Sequence, residues 1–321
     1  MVIAMMLFVG QDGLMKSLIG AFPIWVLMAA RGLMAMLILV PLILVLGAPH
    51  RLLTPLWYLH LARATLFATG FALFYAAFPF MGLAEVSTIF FSAPLMTALM
   101  AVIFLGERIG IHRVAALVIG FAGVVIAMNP DIGSFRWITV FPLLCALTYA
   151  ASQIIARQIG ERESSLTTGL YTVVFSSILL LVAGWSMNQY LVFEPAFRHL
   201  GWHFPTLTPG LAFSVAILGV LGSIGYILIS RAYQVTSASL VAPFDYSYLP
   251  LATLMAFFVW NEVPTTSTLV GMVLIIGSGL YLGFRELRSN RARVEPLPVA
   301  EATLVPGNPI APIALSPDMD E

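Results

Sequence analysis

Residues 90–107 read FFSAPLMTALMAVIFLGE, and residues 245–262 read DYSYLPLATLMAFFVWNE. Both are apolar runs with a proline near the start and a glutamate at the stop. Pro94 stands thirteen residues before Glu107, and Pro250 stands twelve before Glu262. Each run follows small and hydroxyl residues, AEVST at 84–88 and TSASL at 236–240. Each is followed by one more apolar segment. Two copies about half the chain apart make an internal repeat, and a repeat organises everything around it.

The composition says where such a repeat lives. Of 321 residues, 60% are apolar and 9% charged, whereas a soluble domain carries roughly a quarter charged. So few charges cannot cover a globular surface in water, and the chain reads as an all-α integral membrane protein. Fifteen Lys and Arg balance fifteen Asp and Glu, which leaves no polycationic surface for nucleic acid. Cys145 is the only cysteine, so no disulfide forms within the chain. The opening Met1–Leu7 has no basic flank and reads as the start of a first spanning helix rather than a removable signal.

A crossing needs about 20 mostly apolar residues. Runs of that kind fall at 2–19, 23–46, 57–78, 82–104, 112–129, 136–157, 166–184, 210–232, 237–260 and 266–284. Asn129–Gly133 separates two sets of five, giving repeats over 1–130 and 131–284. An odd number of crossings per repeat inverts the second copy, which is the plan of many secondary transporters, with the solute site near the midplane. Placing both termini in the cytoplasm puts Arg51, Arg113, Arg162 and Arg285 inside and leaves Lys16, Arg136 and Arg198 outside. The aromatic connection 185–209 is expected to lie in the interface. The proline-rich, acid-ended tail 285–321 is expected to be disordered.

Ionisable side chains inside a membrane are costly, so each is a candidate functional group. Asp12 and Lys16 share one face of the first helix. Arg31 lies in the second helix, and Asp245 in the ninth with Tyr246 and Tyr248 beside it. The alternative for Asp12, Lys16 and Arg31 is mutual neutralisation that only holds helices together. Pro94 in the fourth helix, and Pro243 and Pro250 in the ninth, are expected to kink their helices and expose carbonyls to a cavity. Tyr75, Tyr149, Gln153 and Tyr226 are candidates to join its wall, although buried tyrosines more often pack with a satisfied hydroxyl. Arg63 is expected to snorkel to the interface, and Glu85 to sit at a helix start. His199 and His203 have the spacing of a helical metal pair but lack a third ligand, so no metal or other cofactor is expected. Asp12 and Asp245 are the candidate proton-coupling carboxylates. No Gly precedes Lys16, the only lysine, so there is no Walker A loop. Neither HExxH nor GxSxG occurs.

The doubled proline-to-glutamate runs, the ten crossings and the five-plus-five repeat resemble the drug/metabolite transporter superfamily, EamA type, over roughly residues 2–284. Arg31 matches a position where that family commonly has an arginine. Asp12 with Lys16 resembles a subgroup that includes bacterial riboflavin and S-adenosylmethionine transporters. One departure is Asn261 where the first copy has Gly106. The resemblance implies an inner-membrane carrier moving a small organic solute by alternating access, not an enzyme. The competing reading is a membrane scaffold or intramembrane enzyme that moves nothing. Oligomeric state is not legible in the sequence.

Overall fold

Backbone groups in hydrocarbon find no water, so an apolar chain must satisfy them within its own helices. The computed structural model describes residues 1–290 apart from 48–49, 106–109, 130–135, 161, 193–194, 204–205, 207 and 236–240. Among the described residues the chain is helical throughout, without strands. First come α1 (Val2–Leu18), α2 (Ile24–Leu46) and α3 (Trp57–Ala76). One apolar run then forms two pieces, α4 (Leu83–Phe90) and α5 (Ala93–Leu105), before α6 (Ile111–Met128). A 3₁₀ turn at Trp137–Thr139 opens α7 (Val140–Gly160), which is followed by α8 (Ser165–Tyr190) and α9 (Pro209–Val235). A 3₁₀ segment, Ala242–Ser247, runs straight into α10 (Tyr248–Trp260), and α11 (Thr266–Asn290) ends the described chain.

Eight spans are long and apolar enough to cross a bilayer, with α4 and α5 contributing to one of them. α1, at 17 residues, and the run that ends in α10 fall outside that set. The outer surface agrees with a lipid setting. Val45, Val182, Phe258 and Val273 are each more than half exposed, and an apolar belt of that extent has no place in water.

Each of the two prolines in the repeated stretches stands just after irregular backbone. Pro94 is the second residue of α5 and Pro250 the third of α10, so the break at Phe91–Ser92 and the change from 3₁₀ to α helix after Ser247 both fall before them. In the first turn a proline's missing N–H costs nothing, because those N–H groups have no partner within the helix. Pro243 likewise stands at the start of the 3₁₀ segment. The first stretch is interrupted at Phe91–Ser92, whereas the second passes from 3₁₀ to α helix without leaving helical dihedrals.

Packing runs in pairs: α6 along α11, α2 along α8, α3 along α7 and α8, and α9 along α1 and α2. α7 also meets α4 and α5, and α10 meets α1 and α4. Small residues permit these approaches. A Cβ on Gly222 of α9 would strike Gln11 of α1, and one on Gly123 would lie 3.0 Å from the Gly271 carbonyl oxygen.

The aromatic 185–209 connection is partly helical. Trp185 and Tyr190 belong to the last turns of α8, and a 3₁₀ turn at Pro195–Leu200 follows. Trp25 Nε1 donates to the Leu200 carbonyl at 2.9 Å, and His199 Nε2 lies 3.2 Å from the Ala76 carbonyl oxygen. α11 runs to Asn290, past 284. The rest of the expected tail, and Glu107 of the repeat, lie outside the described residues.

Candidate functional site

Asp12 on α1 is fully buried. Both of its oxygens are occupied by phenols: Tyr75 donates to Oδ1 at 2.8 Å and Tyr248 to Oδ2 at 2.6 Å. An ionised carboxylate only accepts, so two hydroxyl donors suit it, and charge-assisted bonds of this length are strong. Tyr75 comes from the last turn of α3, whereas Tyr248 is the first residue of α10, placed there by the helix break. Arg31 Nη1 on α2 donates to the Tyr75 oxygen at 3.3 Å, so a cation and a carboxylate meet through one phenol. Gln11 Nε2 approaches Oδ1 at 3.5 Å. Phe91 stacks on Tyr248 with ring centroids 5.5 Å apart, and Phe74 meets Tyr75 edge-on at 5.3 Å. Aromatic packing fixes the direction of both hydroxyls.

Lys16 does not neutralise Asp12, and neither does Arg31 directly. Lys16 lies one turn further along α1, where the chain leaving α10 brings Glu262 into an ion pair with it. Its ammonium also lies 3.4 Å from the Met81 carbonyl oxygen and 5.2 Å from the Trp260 ring centre. The second oxygen of Glu262 accepts the Leu83 N–H at 3.1 Å, at the N-terminus of α4 where a carboxylate is favoured. This pair lines a cavity of about 830 Å³ at that end of the bundle, together with Met81, Glu85, Arg198 and His199. Glu85 lies in the first turn of α4, as expected, 3.5 Å from Arg136.

The other candidates gather further along the bundle. Gln153 donates to the Tyr149 hydroxyl at 2.9 Å, and Tyr149 packs on Phe90 with centroids 5.5 Å apart. Asp245 and Tyr246 are buried on the 3₁₀ segment, and a Cβ on Gly279 of α11 would strike the Tyr246 hydroxyl. Arg63 corrects the snorkelling expectation. It is 1% exposed, and Nη1 donates to Thr172 Oγ1 on α8. Because α3 is flanked by α7 and α8, its inner face offers no path to the interface. Tyr226 lines a narrow cleft with Gln11, Arg31 and Ser176.

The sequence reading missed Glu262 as the partner of Lys16, and Gln11 beside Asp12. The first was legible as two opposite charges at the same end of their crossings; the second was a lone amide in an apolar run. Among the described residues, no group of three or more His, Cys, Asp or Glu side chains could hold a metal ion.

The family comparison decides what kind of molecule this is. The EamA-like transporter family matches residues 1–129 and 136–284. The chain belongs to that family. As an EamA-like protein it is a multi-pass membrane transporter of the drug/metabolite type, not an enzyme. It is 27% identical over 261 residues to a Rickettsia bellii protein named S-adenosylmethionine uptake transporter, covering 80% of this chain and 83% of that one. It is 28% identical to a Rhizobium johnstonii riboflavin transporter, covering 72% of each. A Vibrio cholerae riboflavin transporter is 26% identical, covering 80% of this chain and 82% of that protein. A solved crystal structure shares the fold at a TM-score of 0.55 with 17% identity, covering 89% of this chain and 96% of that one.

Proposed function

We propose that this EamA-like protein is a secondary transporter that moves a small polar metabolite across the inner membrane by alternating access. Asp12 is its central solute contact. The observation carrying this is the Asp12 carboxylate held by Tyr75 from the first half of the chain and Tyr248 from the second, beyond an 830 Å³ mouth. A group held by both halves feels any movement of one against the other.

The packing supports two inverted five-helix repeats, 1–130 and 131–284, making ten crossings. Take the α4–α5 run as the fourth crossing and the segment ending in α10 as the ninth. Exchanging each crossing with its counterpart five places on turns the α1–α9 contact into α7–α3. It turns α3–α8 into α9–α2, and α5–α7 into α10–α1. The contacts α2–α8, α4–α10 and α6–α11 map onto themselves. That invariance is what a pseudo-two-fold axis requires. Arginine placement favours both termini in the cytoplasm, which sets the Lys16–Glu262 mouth on the outer side.

The relatives' names point to S-adenosylmethionine or riboflavin as the solute. The buried carboxylate favours S-adenosylmethionine, whose sulfonium is a cation, while the tyrosines suit a flat ring. Asp12 is also the group placed to carry a coupling proton. The test is uptake of labelled S-adenosylmethionine and riboflavin by purified protein in liposomes, with and without a pH gradient. Wild type accumulates one of them, and Asp12→Asn reduces that uptake at least tenfold without loss of folded protein. Undiminished uptake and unchanged pH dependence in Asp12→Asn would remove Asp12 from the mechanism.

A further inference from the structure

Arg63 is a buried charge for which the bundle supplies little. Its guanidinium has five N–H donors. Nη1 is engaged by Thr172, whose own hydroxyl hydrogen goes to the Thr168 carbonyl at 2.8 Å. Nε is buried without an acceptor. Among the described residues no carboxylate forms an ion pair with it. Glu163, just before α8, is already bound to His60 and Thr54. Its ionisable neighbours are His60, one turn earlier on α3, and the phenols of Tyr149 and Tyr226, none of them a carboxylate. Ordinary packing does not account for a guanidinium in such a place, because an ion removed from water without a counter-charge is among the costliest features a membrane protein can hold.

A cleft begins about one turn from this contact. It is lined by Phe67 on α3, Val173 and Ser176 on α8, and Tyr226 on α9, with Gln11 and Arg31 towards the Asp12 end. Its volume is about 40 Å³, far below the roughly 300–1,000 Å³ of a small-molecule site. A solute therefore reaches Arg63 only when α3, α8 and α9 move apart. Arg63 precedes Tyr75 by twelve residues of α3, about 18 Å along the axis. The charge at Arg63 and the charge at Asp12 thus serve different groups or different stages.

We propose that Arg63 binds a carboxylate of the transported solute, at the end of the cleft remote from Asp12. The planar guanidinium matches a carboxylate with two parallel hydrogen bonds, a geometry the Thr172 hydroxyl cannot use up. This rests on the transport reading above and extends it to the solute's chemistry: an amino-acid-type metabolite whose carboxylate meets Arg63 at a different stage from the one in which its cationic centre meets Asp12, because about 18 Å of helix is more than such a molecule spans between its charges.

Three probes test it: S-adenosylmethionine, its decarboxylated analogue, and riboflavin. They are assayed with the full chain in liposomes for uptake and in detergent for equilibrium binding. The expected result is that wild type favours S-adenosylmethionine over the decarboxylated analogue at least tenfold in KM. Arg63→Gln, which keeps a polar contact to Thr172, raises KM for S-adenosylmethionine at least tenfold and leaves the analogue unchanged. Arg63→Lys falls between. An unchanged ratio in Arg63→Gln, or an equal loss for both solutes, overturns the proposal, since a merely structural arginine gives one or the other. Uptake of riboflavin alone overturns it and leaves transport standing. If wild type moves none of the three, the transport reading fails by itself. The binding measurement then still decides Arg63: a carboxylate preference lost in Arg63→Gln supports it, and no preference in wild type refutes it.

Discussion

Replacing Tyr248 by Phe removes one oxygen atom and leaves the ring stacked on Phe91. The oxygen lost is the donor 2.6 Å from Asp12 Oδ2, and both residues are fully buried, so water does not take its place. Hydrogen bonds to charged groups in water-soluble proteins contribute about 1.5–3 kcal/mol. Within membranes the measured average is nearer 0.6, with an upper value of about 1.7 kcal/mol, because the unfolded chain also finds partners. An ionised acceptor and a short bond place this contact at the upper end of the membrane range, so Tyr248→Phe should cost about 1.5 kcal/mol. Tyr75→Phe should cost more, about 2 kcal/mol, because it also removes the acceptor of Arg31 Nη1. The two phenols share one carboxylate, so the double variant should depart from additivity by at least about 0.5 kcal/mol. Equilibrium unfolding of the purified protein in bicelles, for both single variants and the double, measures all three quantities. Two losses below about 0.3 kcal/mol that simply add would show that the phenols do not hold the carboxylate, and the central site would have to be redrawn.

Two further substitutions test the frame around that site. Pro250→Ala should change stability by less than about 0.5 kcal/mol, since Pro250 stands in the first turn of α10 and creates no kink there; a loss of several kcal/mol in the same unfolding assay would restore the proline as the cause of the break. Gly222→Leu should destabilise by at least about 1–3 kcal/mol, as overpacking does, because its Cβ would strike Gln11 and push α9 off α1. Normal unfolding together with normal Asp12-dependent uptake would contradict the close α1–α9 approach.

Much of the architecture was present in the chain as written. Apolar runs of about 20 residues dictate helices because the bilayer offers the backbone no other partner, and nearly every run read from the sequence is found as a helix within a few residues. Glu85 was legible for a local reason of its own: helix starts favour carboxylates. What could not be read is which distant side chains meet. Asp12 and Lys16 are neighbours on one face, and spacing alone left pairing with each other open as an alternative. Packing sends Lys16 to Glu262, 246 positions away, and Asp12 to Tyr75 and Tyr248. Arg63 looked close enough to an interface to reach it, and α7 and α8 close that route. The prolines in the two repeated stretches marked irregular backbone, but whether a proline bends a helix or begins one depends on where the preceding turn stops. Hydrophobic periodicity acts locally and so determined the helices of this protein. The carboxylate's phenols, the ion pair at the mouth and the buried guanidinium depend on contacts between remote segments, and only the tertiary structure decided them.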